Sequence, residues 1–173
     1  MNILKNLFGQ SAKSDEDPAH SSDLRAVEAA LAGVEPAQAK LLSGFALLLA
    51  RVAHIDFNVS ESEKKRIQEM LIRYSHLNEQ QAQTVLTIAL DRAARHSVEE
   101  HIVIRQINAV ADRERRKDII RALFHVASDA DITEKESEEI FVIAKALLFS
   151  RQEYIELRSE FREHLTILKN MPR

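Results

Sequence analysis

The chain of 173 residues contains no cysteine. That excludes a disulfide, a thiolate nucleophile and a Cys-ligated zinc or iron–sulfur centre. It has only 3 glycines and 3 prolines, too few for the many turns of a β sandwich or barrel. Glycines so few and so scattered cannot build a phosphate-cradling loop. Neither His-Glu-x-x-His nor Gly-x-Ser-x-Gly occurs, so zincin and serine-hydrolase signatures are missing. Positive charge is not in excess: the formal net charge is −3, whereas a nucleic-acid footprint is normally basic. Long apolar runs are missing too. The most apolar stretch, Leu41 to Ala50, is framed by Lys40 and Arg51, and its roughly 15 Å of helix is about half of what a bilayer core requires. Residues 1–8 carry one lysine, Lys5, and no small-residue cleavage site, so no signal peptide is expected. A cytoplasmic protein fits these absences.

What remains is an ordinary globular composition, 45% hydrophobic and 29% charged, in a chain long enough for one sizeable core. Its most informative feature is an internal repeat. His54-Ile-Asp-Phe-Asn-Val-Ser-Glu-Ser-Glu63 returns as Ala127-Ser-Asp-Ala-Asp-Ile-Thr-Glu-Lys-Glu136. With Asp56 and Asp129 as anchors the offset is 129 − 56 = 73 residues. Each copy has an aliphatic residue (Val59, Ile132), a hydroxyl residue (Ser60, Thr133), a Glu (Glu63, Glu136) and a further aliphatic residue (Ile67, Ile140). An apolar helical pattern precedes each Asp. The motif reads as helix, Asp turn and capped helix, made twice, and a repeat fixes architecture before any site is argued.

Residues 1–8, with Ile3, Leu4, Leu7 and Phe8 at helical spacing, form a short amphipathic piece. A polar stretch then reads as a linker, so residues 1–21 stand apart from a helical domain at 22–173. A first helix is expected from about Ser22 to Leu31, ended by Gly33, with Pro36 opening the next. Residues 36–55 are apolar nearly all round and should form a central helix. Five capping-box pairs follow: Ser60/Glu63, Asn78/Gln81, Ser97/Glu100, Thr133/Glu136 and Ser150/Glu153. A further helix is expected at 112–128. Helices 36–55, 60–75 and 78–95 then correspond to 112–128, 133–149 and 150–168, with 97–110 between the halves. No alternating run is long enough for a strand.

At Val52–Glu63 and Val126–Glu136 the chain resembles the tellurite-resistance TerB-like family. That family includes the related helical domain of some membrane-anchored DnaJ-type co-chaperones. The resemblance extends over roughly residues 36–168. It implies an all-α, TerB-like helical bundle of about seven or eight helices in two pseudo-symmetric halves. It also implies no catalytic activity, and a link to metal or oxyanion stress and to membrane-associated complexes. Phe57 and Ala130 stand where the family has a turn glycine, so the turn backbone is expected to differ. No His-Pro-Asp tripeptide is present, so the chain has no J domain.

The candidate site is Asp56, Glu63, Asp129 and Glu136. Four carboxylates brought together by two related turns would suit a hard divalent cation such as Ca²⁺, Mg²⁺ or Mn²⁺. The competing account has Glu63 and Glu136 completing capping boxes and the two Asp side chains bonding turn amides. An EF-hand is excluded: counting from Asp129, positions 6 and 12 are Glu134 and Ile140, and counting from Asp56 they are Glu61 and Ile67. His125 and Asp129 lie i, i+4 on one helix face and can pair or chelate. Ser43-Gly44, within the central helix, reads as a close-packing point. Arg113-Glu-Arg-Arg-Lys117 reads as a solvated helix face rather than a nucleic-acid contact.

Two functions fit these residues. One is a non-catalytic accessory factor in a metal or oxyanion stress response, with a divalent cation at the paired acidic turns. The other is a helical module that docks an unidentified protein partner, with a weak peripheral membrane contact through residues 1–8. No nucleic-acid partner is expected.

Overall fold

The computed structural model describes residues 20–55, 59–75, 77–95, 100–128 and 131–165, leaving out the side chains of 20–23 and 75. The amphipathic piece at 1–8 and most of the linker lie outside them. Among the described residues there are eight α-helices and no strand. They are α1 (His20–Ala30), α2 (Pro36–Ala53), α3 (Glu61–Ser75), α4 (Glu79–Ala94), α5 (Glu100–Val110), α6 (Arg113–Ala127), α7 (Glu134–Ala146) and α8 (Arg151–Ser159).

The starts of these helices follow from local chemistry. Asn78, Thr133 and Ser150 each accept from the backbone N–H three residues on, and Gln81, Glu136 and Glu153 reach back to the cap amides. Ser60 and Glu63 make the same reciprocal pair at the start of α3, at 3.0 and 2.7 Å. Each box satisfies donors that a helix N-terminus otherwise leaves unpaired. The Ser97/Glu100 pair cannot be compared, because Ser97 lies outside the described residues. Asp112 caps α6 through the Arg115 amide. Pro36 occupies the first turn of α2, where its missing N–H costs nothing. Gly33, at φ +93°, turns the chain out of α1.

α2 is the axis of the bundle. It touches α1, α3, α4, α5, α6 and α7. Leu47, Leu48, Leu49 and Ala50 are consecutive and all fully buried. Four successive residues cover every direction around a helix with 3.6 residues per turn, so α2 is enclosed on all sides. The close-packing role of Gly44 is now explicit: a Cβ there would stand 2.9 Å from Cγ1 of Ile107 on α5.

The last two helices are shorter than the sequence suggests. α7 ends at Ala146, not at 149, because Leu148 takes a left-handed conformation, φ 69°. The Phe149 amide then bonds the Ala144 carbonyl at 3.0 Å and closes the end. α8 ends at Ser159 instead of running to 168. After it the chain makes a short 3₁₀ turn, Arg162–His164. Leu165 then forms an isolated bridge with Ile132, whose N–H donates to the His164 carbonyl at 2.6 Å. Tertiary contact explains the early stop. Phe161 stacks on the buried Phe124 at 5.3 Å, and the Ile132 amide, ahead of α7, gains an acceptor that a continuing helix would not offer.

Candidate functional site

The two halves meet crosswise at the ends of their first helices. Arg66 on α3 donates from Nη1 to the His125 carbonyl at 2.9 Å and to Ser128 Oγ at 3.1 Å, at the C-terminal end of α6. A guanidinium there satisfies terminal carbonyls and sits favourably at the negative end of the helix dipole. The position equivalent to Arg66 in the second half is Glu139, since 139 − 66 = 73. Glu139 on α7 accepts from Arg51, in the last turn of α2, at 2.5 Å. Each half's second helix therefore grips the C-terminal end of the other half's first helix. Arg51 also pairs with Glu100 on α5 at 3.1 Å. Burial raises the Glu100 pKa; the Arg51 charge lowers it and the nearby Glu139 raises it. One guanidinium thus holds together three helices and both halves.

Of the four carboxylates proposed from sequence, Glu63 and Glu136 are seen and Asp56 and Asp129 lie outside the described residues. Glu63 accepts the Ser60 N–H through Oε2. Glu136 accepts the Thr133 N–H at 2.8 Å and its hydroxyl at 2.7 Å, also through Oε2. Both Glu residues are engaged as helix caps, at equivalent positions in the two halves. Among the described residues no group of three or more acidic or histidine side chains is placed to hold a metal ion.

The basic segment at the start of α6 is not simply a solvated face. Arg113 pairs with Glu153, and its guanidinium lies 5.2 Å from the Phe149 ring centroid. Arg116 donates to Asn108 Oδ1 at 3.1 Å and to the Leu147 carbonyl at 3.2 Å, while Asn108 donates to the Ala146 carbonyl at 3.0 Å. These bonds close the C-terminal end of α7. Glu153 is held down to about 2 by the Ser150 backbone and then by Arg113. Lys117 pairs within its own helix, with Glu114.

His125, whose carbonyl accepts from Arg66, is partly buried, and its pKa is lowered by that burial and by the neighbouring Arg66 charge. The folded state therefore favours the neutral ring. A depressed folded pKa gives stability that is present above the ordinary value of 6.5 and is lost as pH falls through the folded value. Urea unfolding from about pH 7 down to about pH 5 is expected to show this loss, and His125→Gln should flatten it. An unchanged slope in the variant would assign the loss to other groups.

A cleft of about 500 Å³ opens between the first turns of α2, the end of α3 and the start of α6. Its floor is apolar: Leu42, Phe45 and Ile119 belong to the core, and Leu41 and Val110 are partly buried. Tyr74, 38% exposed, stands edge-on to Phe45 with ring centroids 5.9 Å apart. The rim carries Glu35, Arg115 and Asp118. An apolar floor with a few charged groups around it is the usual form of a docking pocket. Sequence reasoning missed this cleft, because its residues come from four helices. The exposed Tyr74 at the end of an apolar helical face was the available signal.

No helix of the described residues is long and apolar enough to cross a membrane. Comparison with curated proteins and with solved structures gave no match. A family model described as tellurite resistance protein TerB matches residues 42–159. That span runs from within α2 to the end of α8 and includes both copies of the acidic repeat and both crosswise contacts. With more than half of its length matched, this chain belongs to the TerB family of tellurite-resistance proteins.

Proposed function

We propose that the protein is a non-catalytic accessory factor in a tellurite-type metal or oxyanion stress response, acting by binding rather than by chemistry. The observation that carries this reading is the family match across both halves. The apolar cleft between α2, α3 and α6 supports binding as the mode of action. The partner is a protein, and the site of action is the cytoplasm or the membrane surface.

A second reading adds a divalent cation at Asp56, Glu63, Asp129 and Glu136. It is favoured by one observation: in both halves a Glu that caps a helix start stands seven residues after an Asp. Against it, the start of a helix carries partial positive charge, which suits a carboxylate cap better than a cation.

Both readings are tested in one design. The host gene is disrupted, growth on tellurite is measured, and rescue is attempted with wild type, with Leu41→Lys in the cleft, and with Asp56→Asn plus Asp129→Asn. Docking requires that the cleft variant fail to rescue while its melting curve stays intact. The cation reading requires that Ca²⁺, Mg²⁺ or Mn²⁺ at about 100 times its Kd stabilise the wild type by about 2.7 kcal/mol, and that the double variant lose this response. A disrupted strain as tolerant as its parent would end the stress assignment. A melting curve indifferent to all three ions at millimolar concentration would end the cation reading.

A further inference from the structure

We propose that the α2–α3–α6 cleft is occupied in the free protein by residues 1–8 of its own chain. This rests on reading the cleft as a docking surface and deepens it into a regulated one. A partner would have to displace the segment.

Three observations argue for this occupant. The first is chemical fit. Residues 1–8 carry four large apolar side chains, Ile3, Leu4, Leu7 and Phe8, on a helical repeat, and the cleft offers an apolar floor with Tyr74 as a wall. Burying apolar side chains is the driving term.

The second is charge. The segment's one charged side chain, Lys5, is positive, and it has no acidic residue. The cleft rim holds two carboxylates, Glu35 and Asp118, against one guanidinium, Arg115. Glu35 accepts the Gln38 amide at 3.0 Å, and its pKa is lowered by the backbone bonds of Ala37 and Gln38, so it stays ionised.

The third is reach. Phe8 is separated from His20, the first residue of α1, by residues 9–19. Extended, that stretch spans about 40 Å. α1 is about 16 Å long, and its last residue, Ala30, is five residues before Glu35 on the rim. Even with that connection fully extended, the start of α1 lies within about 34 Å of the rim. The tether therefore always reaches. It also supplies an effective concentration of about millimolar, enough for an eight-residue segment that would bind weakly as a free peptide.

The chain has no tryptophan, so Phe8→Trp in the full-length protein is a single fluorescent reporter. The expected result is blue-shifted emission and acrylamide quenching several-fold weaker than in a free peptide of residues 1–12 carrying the same change, at every protein concentration. Leu41→Lys should return the emission to that of the peptide. Tyr74→Lys, at an exposed position outside the core, should do the same should Leu41→Lys disturb the fold. Emission equal to the free peptide and indifferent to both cleft variants would overturn the proposal. A blue shift that grows with protein concentration would overturn it in favour of a second copy. One that appears only with anionic vesicles would overturn it in favour of a membrane surface. Rescue of tellurite tolerance reads the docking surface separately: cleft variants that fail to rescue while the reporter stays solvent-exposed would leave the cleft a partner site without the tethered occupant.

Discussion

Phe124→Ala is expected to destabilise the protein by about 3–5 kcal/mol and to lower Tm by on the order of 10 °C. Phe124 is fully buried. Its ring stacks on Phe161 at 5.3 Å and lies 5.8 Å from Tyr154. It therefore joins α6 to α8 and to the turn after it. Truncation removes the transfer energy of the ring and leaves a cavity walled by two aromatic rings that cannot both collapse inward. Tyr154 is further fixed by a bond from its hydroxyl to the Ser137 carbonyl at 2.6 Å, which limits relaxation. The loss should also be local in hydrogen exchange, with amides of α8 and Leu165 losing protection before those of α2. Phe124→Leu should cost less, because most of the volume is kept. A loss below about 1 kcal/mol for the Ala variant would mean that the ring is not enclosed as described.

The parts of the fold that sequence made legible are those set by neighbours within four residues. A capping box needs only a short polar side chain and a Glu or Gln three positions later. Ser60/Glu63, Asn78/Gln81, Thr133/Glu136 and Ser150/Glu153 all form as their spacing predicts. The central helix was legible because apolar residues on all its faces leave no side for solvent. Less visible were decisions made across long separations. The end of α8 is set by Phe161 meeting Phe124 and by Leu165 meeting Ile132. Nothing in the local pattern of residues 150–168 marks that exit.

The same division applies to the site. Spacing correctly tied Glu63 and Glu136 to helix starts, and both act there as caps. The Arg51–Glu139 pair spans 88 positions in sequence, and only the 73-residue repeat relates it to Arg66. Arg51 did carry a faint signal, as the first charge after ten largely apolar residues. Such a cation near the end of a buried helix needs an acid from elsewhere. Which acid it finds is a question of topology, answered here by α5 and α7.

Gly44→Leu is expected to destabilise the protein by about 3 kcal/mol, and Gly44→Ala by much less. The Ala variant sets two effects against each other. Replacing a mid-helix glycine gains about 1 kcal/mol of helix propensity. The new Cβ, however, would lie 2.9 Å from Ile107 Cγ1 and 3.2 Å from its Cδ1. Ile107 is fully buried, and Cγ1 is not the free end of its side chain. The clash must be met by an off-rotamer Ile107 or by a shift of α5, either costing about 1–3 kcal/mol. Leucine keeps the propensity gain but adds three more carbons in the same direction, where Val103 also stands 3.5 Å from the Cβ position. Moving α5 outward would strain the Arg51–Glu100 pair and the bond from Gln106 to Ser43 Oγ, 3.0 Å, so the displacement cannot stay local. Pairing Gly44→Leu with Ile107→Ala should recover part of the loss, because the added side chain fills the space the isoleucine leaves. Urea unfolding of both single variants and the double variant measures that coupling. Strict additivity would mean that α2 and α5 do not depend on the missing side chain for their close approach.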